Sequence, residues 1–220
     1  MWSGNAQVQG ERYGSAAKSG IASAGMAQSG DQSSEQAASG VFTGRALASR
    51  RGERMIFARL DFSLEPGGLL LLRGANGSGK TTLLRLMAGL LRPADGALSW
   101  DREPIAKYPD LHRRRLAFLG HLDALKGPLT AAENLAFWCG ADAVAPALGA
   151  FGIERLANFP ARMLSAGQRR RVALARILAS QAPLWLLDEP TNGLDAEAEA
   201  MFADVLARHR ARGGMASAAG

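Results

Sequence analysis

Gly74-Ala75-Asn76-Gly77-Ser78-Gly79-Lys80-Thr81-Thr82 is the stretch that decides the fold of this 220-residue chain. Before it, Leu69 to Arg73 reads as a short buried strand, apolar and bounded by Gly67-Gly68. After it, Leu83, Leu84, Met87, Leu90 and Leu91 recur at helical spacing, and Pro93 is expected to stop the element. A G-x-x-x-x-G-K-[ST] loop between a strand and a helix is the context in which this motif cradles phosphates. Gly74, Gly77 and Gly79 let the backbone turn tightly and aim its amides inward, and the helix N-terminus adds partial positive charge. Lys80 supplies a full charge for the β- and γ-phosphates of a nucleoside triphosphate, and the Thr81 hydroxyl is placed to hold Mg²⁺. A glycine-rich turn with an exposed lysine is the bland alternative. Strand, spacing and helix together disfavour it.

Working outward, Pro183 to Leu187 (PLWLL) reads as a second buried strand that ends in Asp188-Glu189-Pro190. A carboxylate at the tip of an apolar strand beside such a loop suits water-mediated Mg²⁺ binding, which assigns Asp188 to the metal. Glu189, one residue on, is placed to polarise the attacking water as general base. Between the two lies LSAGQRRR, Leu164 to Arg171, opening an apolar helix through Val172, Ala175, Ile177 and Leu178. Ser165, with the amides near Gly167 and Gln168, makes a second small anion-binding helix start. One site needs only one phosphate cradle. The second makes sense if it completes the site of another copy, meeting the γ-phosphate in trans.

GANGSGKTT, LSAGQ, LLDEP and the NGLD at Asn192 to Asp195 together resemble an ABC nucleotide-binding domain, over Val41 to Met215. The resemblance implies an α/β fold: a P-loop NTPase with a RecA-like core and an ABC helical subdomain at about 113–163. It also implies ATP and Mg²⁺, and a head-to-tail ATP-sandwich homodimer in which Asp195 lies on the loop that communicates across the interface. Within Leu116 to Trp138, His121 stands where most relatives carry the glutamine that senses the γ-phosphate, and Ala166 replaces the second glycine of LSGGQ. With TTLLRLMAGLLRP and PLWLLDEP, these features resemble the ATPase subunits of the haem exporter of cytochrome c maturation. That likeness implies ATP hydrolysis coupled to haem export, integral membrane partner subunits, and a peripheral position on the cytoplasmic face of the inner membrane.

Two departures bear on that reading. The family stacks an aromatic residue on adenine upstream of the loop, where this chain has Ser49, Arg50 and Arg51, leaving Arg50 or Arg51 as candidates. The family's switch histidine follows a strand of the type GGMVxxxTH, whereas here Gly213-Gly214-Met215 leads into ASAAG and stops at Gly220. That stretch has no β-branched residue, so the sheet is expected to lose an element there and the domain to be C-terminally truncated. Poor turnover would follow. An ABC engine for another cargo, or a nucleotide-binding remnant that does not hydrolyse, remain the alternatives.

The rest of the chain sets bounds. Residues 1–40, dominated by Gly, Ser, Ala and Gln, cannot bury enough surface to offset their ordering entropy and are expected to form an unstructured tail. No run approaches the roughly 18–20 apolar residues that a membrane-spanning helix needs. Cys139 is alone, which excludes an internal disulfide and a CxxC metal site. A net charge of +6 with scattered Lys and Arg reads as a solvated basic face, so no nucleic acid partner is expected. Thr130 and Glu133 form a capping box opening a helix through Leu135 and Trp138, read as subdomain core first and partner dock second. His112, in DLHRRR, is expected on a solvated helix face.

Overall fold

The computed structural model describes residues 40–220 and the backbone of a short strand near the N-terminus. In chain order the elements are β1 (Val8–Glu11), β2 (Phe42–Arg51), β3 (Arg54–Leu64), β4 (Leu69–Leu72), α1 (Lys80–Met87), β5 (Asp95–Trp100), β6 (Glu103–Pro104), α2 (Pro109–Arg114), β7 (Leu116–Leu119), α3 (Ala131–Ala136), α4 (Val144–Gly149), α5 (Ala166–Ala179), β8 (Leu184–Asp188), α6 (Ala196–Ala211) and β9 (Met215–Ala219). Apart from β1 and Gly40, the tail expected over 1–40 lies outside the described residues. Within it, β1 runs antiparallel along β4.

The main sheet has the order β1-β4-β9-β8-β7, with β4, β9, β8 and β7 parallel. Parallel neighbours need long crossovers, and here helices supply them, covering both faces. Alternation along each strand divides the core. Leu70, Leu72, Leu184 and Leu186 face α1 and the antiparallel sheet β3-β2-β5-β6, while Leu69, Trp185 and Leu187 face the layer of α3, α4, α5 and α6. Leu83, Leu84, Leu86 and Met87 of α1 all enter the first core.

Three expectations need correction. First, the sheet keeps its element at the C-terminus: Met215–Ala219 is an interior strand, bonded to β4 on one side and β8 on the other. Strand propensity reflects packing rather than an intrinsic backbone preference. Here the neighbours are Leu and Trp, so alanines fill the space that remains, and Ala216 is fully buried against Leu69 and Trp185. Second, the helix after the phosphate loop stops at Met87, well before Pro93. Gly89, at φ 70°, adopts the left-handed turn while Leu90 N donates to Arg85 O (2.9 Å) and Gly89 N to Leu86 O (2.9 Å), a Schellman end that leaves Leu90 and Leu91 exposed. Third, His112 is 3% exposed rather than solvated: its ring stacks on Phe42 and its Nε2 lies 2.8 Å from Met87 O. The helix α2 lays that residue across the end of α1, which its basic neighbours do not reveal.

The segment expected to be a helical subdomain from about 113 contains β7, a strand of the main sheet; its helices begin at Ala131. The capping box that opens α3 is present, with Thr130 N donating to Glu133 Oε2 (2.8 Å) and Glu133 N to Thr130 Oγ1 (3.1 Å).

Candidate functional site

The parallel strands end together. Leu72, Ala219 and Asp188 pair in one row across β4, β9 and β8, and Leu119 of β7 pairs with Leu187. Strands stand about 4.8 Å apart, so Asp188 lies on the order of 10 Å from the strand that launches the phosphate loop. The carboxyl edge of a parallel sheet is where α/β proteins bind ligands, and the 74–82 loop, the His121 loop and Asp188-Glu189 all leave the sheet there.

The phosphate loop itself has an unmet demand for an anion. Gly79, at φ 101°, caps α1 with no side chain accepting from the first turn, so the amides of Lys80 and its successors face outward unpaired by any cap. A Cβ on Gly79 would lie 2.6 Å from Ile56 Cγ2, so the N-terminus of α1 presses against β3 where only glycine fits. Lys80 Nζ folds back to donate to Gly74 O at 2.6 Å, and Ser78 Oγ is buried without a partner. The first-turn amides and Ser78 Oγ are left without acceptors, a donor set that suits an anionic group. Mg²⁺ also fits the residues present: Thr81 lies in the first turn of α1 and Asp188, 3% exposed, ends β8, and both offer the hard oxygens this ion takes.

Glu189 leaves β8 in an unusual conformation. Its φ is 49°, left-handed for a side chain with a Cβ, while its amide donates to Ala219 O at 2.9 Å. The turn aims the Glu189 carboxylate at His121, whose Nδ1 lies 3.7 Å from Glu189 Oε2, and Asn192 Nδ2 approaches the same oxygen at 3.4 Å. Both groups are accessible: the His121 side chain is 69% exposed and that of Glu189 41%. The sequence pairs neither of them with Asn192.

The second cradle stands at the start of α5. Ser165 Oγ accepts from Gln168 N (3.2 Å) and Gln168 Oε1 accepts from Ser165 N (2.9 Å), closing a capping box. A Cβ on Gly167 would come 3.0 Å from Gly193 O, so glycine lets the helix start abut the turn after Glu189. Ser165, Gly167, Gln168, Arg171, Gly193 and Asp195 line one open cleft of about 210 Å³. Asp195 caps α6 through Ala198 N (2.9 Å) and meets Arg171 Nη2 at 2.6 Å; the Ala198 amide, with Arg171 beside it, holds this carboxyl below its usual range. Arg50 and Arg51, the candidates for adenine, stand exposed at the tip of the β2–β3 hairpin, whose Ile56 and Phe57 back the phosphate loop.

Sequence reasoning missed Arg170. Within a basic run it reads as one more solvated charge, yet it is 4% exposed and bonded to the turn that carries Asp188 and Glu189.

A parallel sheet with these phosphate, carboxylate and helix-start motifs on its edge defines a protein class, and the family model described as "ABC transporter" matches residues 57–192. The chain belongs to the ABC transporter family, as the ATP-binding domain type. Among curated proteins it is 52% identical over 183 residues to the cytochrome c biogenesis ATP-binding export protein CcmA of Paramagnetospirillum magneticum, spanning 79% of this chain and 84% of that one. It is 54% identical over 180 residues to the CcmA protein of Rhodospirillum rubrum, spanning 80% and 77% respectively. In fold it is similar to an ATP-binding subunit of an ABC transporter (TM-score 0.75, 24% identity, 81% and 78% covered). A putative ABC transporter ATP-binding protein from Pyrococcus furiosus gives a TM-score of 0.73 at 22% identity, with 82% and 90% covered.

Proposed function

We propose that this chain is the ATP-binding and ATP-hydrolysing subunit of an exporter that serves cytochrome c biogenesis, with haem as cargo and integral membrane subunits as partners. The observation that carries the ATPase reading is the shared strand row: one sheet edge presents an uncapped helix start with Lys80, a buried Asp188, and Glu189 facing His121. The relatedness to the cytochrome c biogenesis ATP-binding export proteins CcmA supports the export role.

The residues divide the work. Amides of Gly77 to Thr82 and the Lys80 ammonium hold the phosphates, releasing Lys80 from its contact with Gly74 O. Thr81 and Asp188 would hold Mg²⁺, which when bound neutralises developing charge on the phosphates. Glu189 takes the proton from the attacking water, and His121, across from it, orients that water or its γ-phosphate target. Ser165, Gly167 and Gln168 meet the γ-phosphate of a second copy, which makes ATP the glue of a homodimer. None of the helices among the described residues is long and apolar enough to cross a membrane. In this reading the membrane path belongs to the partners, with this subunit peripheral on the cytoplasmic face. Exposed Phe137 and Trp138, an edge-to-face pair at the end of α3, offer those partners an aromatic dock.

Lys80→Ala is the direct test. Removing a charge-assisted partner of the triphosphate should weaken MgATP binding by tenfold or more, about 1.4 kcal/mol at least. Isothermal calorimetry giving equal affinity in variant and parent overturns the site assignment.

A further inference from the structure

Arg170 sits in the first turns of α5 between two arginines that face elsewhere, Arg169 donating to Leu164 O and Arg171 to Asp195. Its own guanidinium is buried, and a guanidinium has five N–H donors. All five are placed. Nε donates to Pro190 O (3.2 Å), and Nη2 donates to Asp188 O (2.8 Å) and Glu189 O (2.6 Å). Nη1 donates to Gly120 O (3.2 Å) and to Asp123 Oδ1 (3.1 Å), the carboxylate that balances its charge. Three consecutive carbonyls, 188 to 190, therefore converge on one cation. The chain curls left-handed at Glu189 where they converge, a conformation that is strained for a non-glycine residue. The remaining two bonds grip Gly120 and Asp123, on either side of the loop that presents His121.

From this we infer that Arg170 is a positioning residue: it ties the start of α5, where Ser165 and Gly167 await the second copy's phosphate, to Glu189 and to the His121 loop. The bonds are charge-assisted and come from one rigid planar group, so the spacing between the Glu189 carboxylate and the His121 ring depends on where α5 stands. A shift of α5 on meeting the other copy's nucleotide is thereby conveyed to the hydrolytic pair through one side chain. The inference rests on the roles proposed above for Glu189 and for α5.

The test compares full-length Arg170→Gln and Arg170→Lys with the parent and with Glu189→Gln. Hydrogen-exchange mass spectrometry reads local order, and calorimetry reads MgATP affinity. In Arg170→Gln the amides of 189–194 and 120–124 should exchange about tenfold faster while those of α1 and β4 keep the parent's rates. MgATP affinity should stay within about twofold, and any turnover the parent shows should fall about tenfold in kcat with KM little changed. Arg170→Lys keeps the charge on a single nitrogen and should restore the melting temperature without restoring exchange or kcat. Parent-like exchange at both segments overturns the inference, as does a uniform rise that includes α1 and β4. If Arg170→Gln does not fold, Asp123→Asn, at a part-exposed position, must loosen both segments in the same direction, and its failure to do so is equally decisive. Should the site reading itself be wrong, Lys80→Ala would leave ATP binding intact while the exchange pattern of Arg170→Gln stood unchanged, so the two failures are separable.

Discussion

At the residue scale two histidines, His112 buried and His209 half-buried, govern how the fold responds to acid. His209 of α6 lies face to face with Trp185, ring centroids 3.8 Å apart, with Nε2 3.2 Å from Met215 O. His112 is closed in by Phe42 and Met87. Burial, the first cause in both cases, pushes each imidazole below its ordinary 6.5, with Arg212 near His209 and Arg115 near His112 adding repulsion. The sign follows. A depressed folded value means the unfolded chain binds more protons, so stability rises with pH through this window. The neutral rings cost nothing above about 7.5, and the penalty grows as pH falls through 6.5 toward the lower folded values. The melting temperature should fall between about pH 7.5 and 5.5, and His209→Phe, which keeps the stacked ring without the titration, should flatten part of that slope. An unchanged slope in the variant, by calorimetric scans across the window, would remove His209 from the account.

At the element scale the instructive strand is β9. By composition Met-Ala-Ser-Ala-Ala is a poor strand, and the expectation that it fails followed from that alone. In the fold it is held by parallel ladders on both sides, and leaving those neighbours unpaired would cost about 1–3 kcal/mol for each buried group. Small side chains are a requirement of the place: Ala216 is fully buried between Leu69 and Trp185, whose ring carries His209. Ala216→Val should therefore destabilise by about 1–3 kcal/mol through overpacking, although valine is the better strand former. Urea unfolding decides the matter, since a gain in stability would show that backbone preference outweighs packing here. The end of α1 makes the same point from the other side. A run of apolar residues at helical spacing continues to Leu91, but Gly89 takes the left-handed turn and ends the helix at the second turn.

At the scale of the whole molecule, the two phosphate cradles predict an assembly. Glu189→Gln keeps every phosphate donor and removes the base, so MgATP should hold two copies together and shift the elution volume on a sizing column. Adding Gly167→Asp places a carboxylate at the start of α5, against the γ-phosphate of the other copy, with its Cβ about 3.0 Å from Gly193 O, and the dimer should vanish. Persistence of the dimer in the double variant would place the ATP contact elsewhere. The same variant without ATP is the control, since a dimer that ignores nucleotide owes nothing to the cradles.

What the sequence determined by itself is local and motif-bound. Nine residues from Gly74 to Thr82, flanked by an apolar strand and a helix, were enough to read a phosphate loop, because the chemistry of anion binding needs glycines, a lysine and a helix start in contiguous order. The same holds for Asp188-Glu189 at a strand tip and for the capping residues Thr130 and Ser165, whose partners lie within four positions. The tertiary structure alone decided which arginine of QRRR is buried, which histidine packs in the core, and whether five small residues make a strand. Each of those outcomes depends on partners far along the chain: Gly120 and Asp123 for Arg170, Phe42 and Met87 for His112, Leu69 to Leu72 and Leu184 to Asp188 for β9. Burial and hydrogen-bond satisfaction are properties of the assembled layers, and no window of local sequence contains them.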